Sequence, residues 1–223
     1  MSEYYEWVNV DRKEYMLPAD FDYGPKWCES RHKDSTPLLA LHTLLNNEWK
    51  NCHILFFGDE TSIPENTTNY TLKKLLDQMK EENSSFEMGT ISDTYRDVSC
   101  LFKESEKVIK KEIEWDIRDL KAGRKCNNYY RLDINDPYKG LFTKTGRRFK
   151  YVLNDDKKVY YSIEDTKIIS KDDNEIVEGV DPLPNYMCYG WKDENEIWIG
   201  DIVSVSDEKP VGYTLIDKIY LDI

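Results

Sequence analysis

Between Thr36 and Gly58 the apolar residues change their spacing, and that change constrains the fold more than any other stretch. Leu38, Leu41, Leu45 and Trp49 recur every three to four residues, which places them on one face of a helix. Thr36 suits the N-cap, and Pro37 suits the first helical position, where its missing N–H would be unpaired anyway. His53-Ile54-Leu55-Phe56-Phe57 is then a continuous apolar run ended by Gly58. An uninterrupted run of this kind is the pattern of a strand covered on both faces. A helix followed at once by a buried strand predicts a layered α/β arrangement in this half of the chain.

Upstream, Tyr4 to Val10 alternates loosely and reads as a strand, with Glu14 to Leu17 as a short partner stopped by Pro18. Residues 18–35 read as a long irregular loop. Downstream, Tyr70 to Glu82 reads as a helix with Leu72, Leu75, Leu76 and Met79 as its core stripe. Ile91 to Gly123 reads as largely helical with a break near Ser99, and Gly123 is placed to stop it. After residue 126 the pattern turns to strands. Residues Phe149–Leu153 and Lys158–Ile163 flank Asn154-Asp155-Asp156-Lys157, the signature of a hairpin. Lys167 to Ile169 reads as an added edge. Ile197–Ile199 and Ile202–Val205 read as strand around a bulge at Gly200, and Tyr213 to Ile223 as a closing strand. The expected fold is α+β. A helix-rich N-terminal half with a few strands (residues 1–125) packs on a mostly antiparallel β C-terminal half (residues 126–223). No stretch resembles a flexible linker, so one compact body is expected.

Composition agrees with a folded chain. At 223 residues with 39% hydrophobic and 13% aromatic residues, a core forms without metal or disulfide staples. The five cysteines are odd in number and scattered, unlike a disulfide framework. No run approaches the ~20 apolar residues that span a bilayer, and the N-terminus carries acids where a secretory signal needs bases. The cytoplasm is therefore the expected address, with no membrane partner.

The net charge of -12 argues against direct nucleic-acid binding, which needs surplus Lys and Arg. The charge is segregated: residues 101–151 hold 14 bases and 8 acids, while residues 152–223 hold 7 bases and 17 acids. Either the basic middle neutralises the acidic end, or an acidic face stays open to steer a basic partner.

Catalytic motifs are sparse. No Gly-x-Ser-x-Gly elbow, Walker loop or dinucleotide fingerprint is present, and no cofactor is expected. Cys28, His32, Cys52 and His53 do not make a zinc set, because adjacent strand residues face opposite ways. Asp133-Ile134-Asn135-Asp136 opens like a calcium loop, but Pro137 takes the third ligand position. The most enzyme-like feature is Asp59-Glu60, just past the end of a buried strand, where open α/β sheets place ligands. Such a pair would serve a metal-assisted hydrolase. Tyr189, Trp191, Asp193, Glu194, Glu196 and Trp198 combine aromatic anchors with acids, a recurrent composition of protein interfaces. The expectation is a non-catalytic inhibitor, immunity factor or adaptor that presents this face to a basic protein, with the Asp59/Glu60 hydrolase as the alternative.

Overall fold

The computed structural model describes residues 3–59, 61–81, 91–92, 94–124, 135–189 and 198–222. Its main sheet is built around β1 (Tyr5–Asn9), which pairs antiparallel with β2 (Glu14–Met16) on one side and β3 (Ile54–Gly58) on the other. Two short strands complete the edges in parallel: β4 (Arg96–Asp97) beside β2, and β8 (Cys188–Tyr189) beside β3. The first half of the chain is therefore not helix-rich. It supplies four of the five strands of this sheet, because β1 pairs with distant β3 as well as with neighbouring β2, and β2 draws in β4 from within the expected helix.

Every residue of β1 and β3 is buried, since each face of the sheet is covered by a helix. Helix α3 (Tyr70–Glu81) brings Leu72, Leu75, Leu76 and Met79 against Val8, Tyr15, Leu55 and Phe57. A short helix, α1 (Trp27–Ser30), lies within the expected 18–35 loop, and helix α2 (Thr36–Asn46) covers the other face of the sheet, packing against Trp7, Ile54 and Phe56. The N-cap of α2 is Ser35, one residue before the expected Thr36. Ala40 and Leu44 are buried as well as the expected stripe, because a second sheet lies on the far side of α2.

That second sheet runs in the order β10-β6-β5-β9. The expected hairpin is there: β5 (Tyr151–Asn154) pairs antiparallel with β6 (Val159–Ser162). Asn154 shapes its turn by accepting the backbone N–H groups of Asp156 and Lys157 at 3.1 and 2.8 Å. β9 (Val203–Ser206) flanks β5 antiparallel, but β10 (Thr214–Leu215) joins β6 in parallel. The expected closing strand is thus split, and its second piece, β11 (Lys218–Leu221), pairs in parallel with β7 (Lys167–Ser170) as a separate ribbon. The mostly antiparallel expectation holds for β5, β6 and β9 alone in this half. Val152, Tyr161, Val205 and Ile219 share one apolar cluster with Trp7 and Leu41, so the two sheets are joined through α2.

Two further expectations are corrected. Residues 91, 92 and 94 are helical as expected, but β4 and two 3-10 turns then break the helix, which resumes as α4 (Glu106–Lys121). Gly123 does close it, at φ +71°. Gly200 is not a strand bulge but part of a turn at φ +77°, in which Asp201 N–H donates to Trp198 C=O at 2.9 Å. A Cβ at Gly200 would stand 2.5 Å from Cβ of Thr71, whose hydroxyl donates to the Gly200 carbonyl at 2.7 Å. Backbone and helix approach too closely there for any side chain. Among the described residues no helix is long and apolar enough to cross a membrane.

Candidate functional site

The residues expected to contact a partner fall into three groups. Trp191, Asp193, Glu194 and Glu196 lie outside the described residues. Tyr189 ends β8 half-buried, its ring stacked on Phe57 at 6.3 Å, and burial raises its phenol pKa. Trp198 is 3% exposed and lies against Tyr186 at 4.7 Å and Tyr161 at 6.0 Å. It is a core residue, so its placement on an open face is corrected. An aromatic beside an acidic stretch in sequence says nothing about which way it points once the strand it was assigned to becomes a turn.

Asp59 follows β3 as expected, and its work is structural. Its Oδ1 accepts the N–H of Tyr4 at 2.8 Å while its own N–H donates to Tyr4 C=O at 2.9 Å, continuing the β1–β3 ladder. Glu60 lies outside the described residues. His53 Nδ1 is 2.8 Å from Oδ2 of Asp11, and Cys52 Sγ donates to Lys50 C=O. Among the described residues no group of three or more His, Cys, Asp or Glu side chains is arranged to hold a metal ion.

Sequence reasoning missed the buried acids. Glu6, in the middle of β1, is fully buried, and neither carboxyl oxygen has a hydrogen-bond partner. Burial, then the charges of Asp97 and Asp59, push its pKa well above the ordinary carboxyl range. Asp20 is raised in the same way, by burial and then by Asp97, Glu112 and Glu6, against a lowering hydrogen bond from Ser99. Glu14 is buried too, but it is satisfied: Trp49 Nε1 and Arg12 Nε donate to its Oε2 at 2.8 and 3.0 Å. The loose alternation of β1 was the available signal. Alternation puts Glu6 on the same face as Val8, and that face packs against α3.

The charge segregation is resolved residue by residue. Among the described ion pairs, the bases of the middle are divided: Lys107 meets Asp22, Lys144 meets Glu48 and Arg148 meets Asp34 at 2.8 Å, while Lys110 and Arg124 meet Glu106 and Asp119 within the middle itself. The middle reaches the acidic final third only at Glu164, through Arg148, and at Asp207, through Arg147. Asp201 and Asp222 are met by Lys157 and Lys171 of the same third. Asp172, Asp173, Glu175, Glu178, Glu208 and Asp217 make no ion pair among the described residues, and Asp172 to Glu175, Glu178, Glu208 and Asp217 are exposed. The backbone N–H of Glu175 and the hydroxyl of Ser170 hold the Asp173 carboxyl below its usual pKa, so it stays ionised.

Neither a protein-family model, nor a curated protein, nor a solved structure matches this chain.

Proposed function

We propose that this chain is a non-catalytic binding protein that presents the acidic surface of its final third to a basic protein partner, as an inhibitor, immunity factor or adaptor does. One observation carries the reading: the 17 acids of residues 152–223 are matched by 7 bases, and among the described residues the bases of 101–151 reach that segment only through Arg147 and Arg148. The exposure of Asp172, Asp173, Glu175, Glu178, Glu208 and Asp217 supports the reading, since exposed charge acts over roughly 8–10 Å at physiological salt. A hydrolase centred on Asp59 and Glu60 gains no comparable support, since Asp59 is engaged in joining β1 to β3.

The test is association kinetics of the intact chain with a lysine-rich probe, poly-lysine of defined length, across a salt series. Electrostatic steering makes the on-rate fall by roughly tenfold or more between low and high salt while dissociation changes less. An on-rate indifferent to salt, or equal binding of poly-glutamate, overturns the reading.

A further inference from the structure

The β7–β11 ribbon has one dry face and one wet face. Ile168, Ile219 and Leu221 point into the main apolar cluster. On the other side Tyr220 stands opposite Ile169 in the parallel ladder, and Ile169 is bridged in turn to Ile176. The N–H of Ser170 donates to Glu175 C=O at 2.9 Å and that of Val177 to Ile168 C=O at 2.9 Å. Those two bonds bracket Ile169 and Ile176 as a non-hydrogen-bonded antiparallel pair, the kind whose side chains stand closest. Paired residues share a face, so Tyr220, Ile169 and Ile176 form one row across three adjacent segments. Ile169 is half-buried, Tyr220 is 44% exposed and Ile176 is 62% exposed. A row of three large apolar side chains turned to water is an unusual use of residues that a core would take.

The charges around the row are divided by end: Lys167 and Lys218 stand opposite each other on the same face at one end, and the acids gather in the turn at the other. Residues 167–178 and 217–222 carry six acids and three lysines. Lys171 is 3.7 Å from Asp222, and the hairpin turn at the end of the row holds Asp172, Asp173 and Glu175 without an ion pair among the described residues. Asn174 adopts the left-handed conformation at φ +60° and its N–H donates to Ser170 C=O at 3.0 Å, so the turn is defined. We infer that this face is the docking surface for a basic segment of a partner protein. An aliphatic or aromatic side chain of the partner covers Tyr220, Ile169 and Ile176, and its Lys or Arg residues reach Asp172, Asp173 and Glu175. The inference rests on the acidic-binder reading and adds where and how the partner is held. Charge complementarity selects a basic occupant over a second copy of this acidic chain, and the apolar row selects a basic segment with a hydrophobic anchor over a purely charged one.

The probes are two synthetic peptides of equal charge, one alternating Lys with Val and Ile, the other alternating Lys with Gly. The intact chain is expected to bind the apolar peptide about tenfold more tightly than the glycine peptide. Ile176→Ser should erase that preference without changing the thermal midpoint, because Ile176 is largely solvent-exposed. Reversing Asp172, Asp173 and Glu175 to Lys should weaken both peptides by about tenfold or more. Amide hydrogen exchange of the wild-type complex gives an independent readout, with added protection expected in residues 167–178 and 217–222. Equal binding of the two peptides, or protection elsewhere, overturns the ribbon as docking surface. If reversal of Asp193, Glu194 and Glu196 weakens binding while the ribbon variants do not, the acidic-binder reading stands and the ribbon assignment falls. If neither peptide binds at low salt, both fall.

Discussion

The phenol of Tyr161 donates a hydrogen bond to Oδ1 of Asp181 at 2.6 Å, wholly inside the core. The same oxygen accepts the N–H of Leu183 at 2.9 Å, which starts helix α5 (Leu183–Met187). Nε2 of His42 lies 3.8 Å from the other carboxylate oxygen. A strand of the second sheet, the helix between the sheets and the turn leading to β8 thus meet at one buried carboxylate. Tyr161→Phe should destabilise the fold by about 1–3 kcal/mol, because a buried carboxyl acceptor loses a donor. Urea unfolding at neutral pH measures it, and a change within a few tenths of a kcal/mol would show that Leu183 N–H alone suffices.

Glu6 makes stability depend on pH in an identifiable direction. Burial raises its folded pKa above the unfolded value of about 4.3. Its neutral form is the one the fold accepts, so its contribution is complete below about pH 4.3 and is lost as pH rises through the folded pKa. The groups bearing on it are Asp97 and Asp59, and Asp20, raised by burial and then by Asp97, Glu112 and Glu6, titrates alongside it. Glu6→Gln should therefore gain stability relative to wild type as pH increases from 5 to 8, by about 1–3 kcal/mol at the upper end. Denaturant midpoints at the two pH values decide the matter; an equal difference at both would mean that Glu6 does not titrate across this range.

His42 acts in the opposite sense. Desolvation lowers its pKa, with neither ring nitrogen hydrogen-bonded. A folded pKa below the unfolded value of about 6.5 means stability is full above pH 6.5 and is lost as pH falls through the folded pKa. His42→Gln should flatten the acid limb of the stability profile between pH 6.5 and 5 while leaving the alkaline limb of Glu6 in place. Persistence of the full acid slope in the variant would assign it to another group.

Gly200 and Gly179 separate backbone strain from crowding. Both have positive φ, +77° and +75°, but a Cβ at Gly179 meets nothing within 4 Å while one at Gly200 meets Thr71. Gly179→Ala should cost about 1–2 kcal/mol for the left-handed backbone alone. Gly200→Ala should cost roughly 1–3 kcal/mol more from overpacking against α3. Equal losses in thermal or urea unfolding would mean that the Thr71 side chain moves aside freely.

How much of this was legible in the chain follows the range of each interaction. Helices α2 and α3 and the β5–β6 hairpin were readable because their signals are local: a 3.6-residue apolar period, a proline in the first turn, an Asn-led turn between two β-rich runs. Strand β4 was read as helix because Arg96-Asp97 has no pattern of its own and is a strand only through Tyr15. Trp198 was read as surface for the same reason. An acidic stretch, Asp193 to Glu196, precedes it in sequence, and its neighbours in space are Tyr161 and Tyr186.

By itself the sequence determined the charge segregation, the α+β alternation of periods, and the buried character of Ile54 to Phe57. These depend only on composition and on contacts between residues close along the chain. Only tertiary structure decided which acids the basic middle neutralises, that Glu6 is sealed beneath α3, and that Tyr220, Ile169 and Ile176 share a row. Each depends on segments brought together by the fold, such as β11 on β7, and a one-residue shift in strand register would turn Glu6 or Tyr220 to the other face.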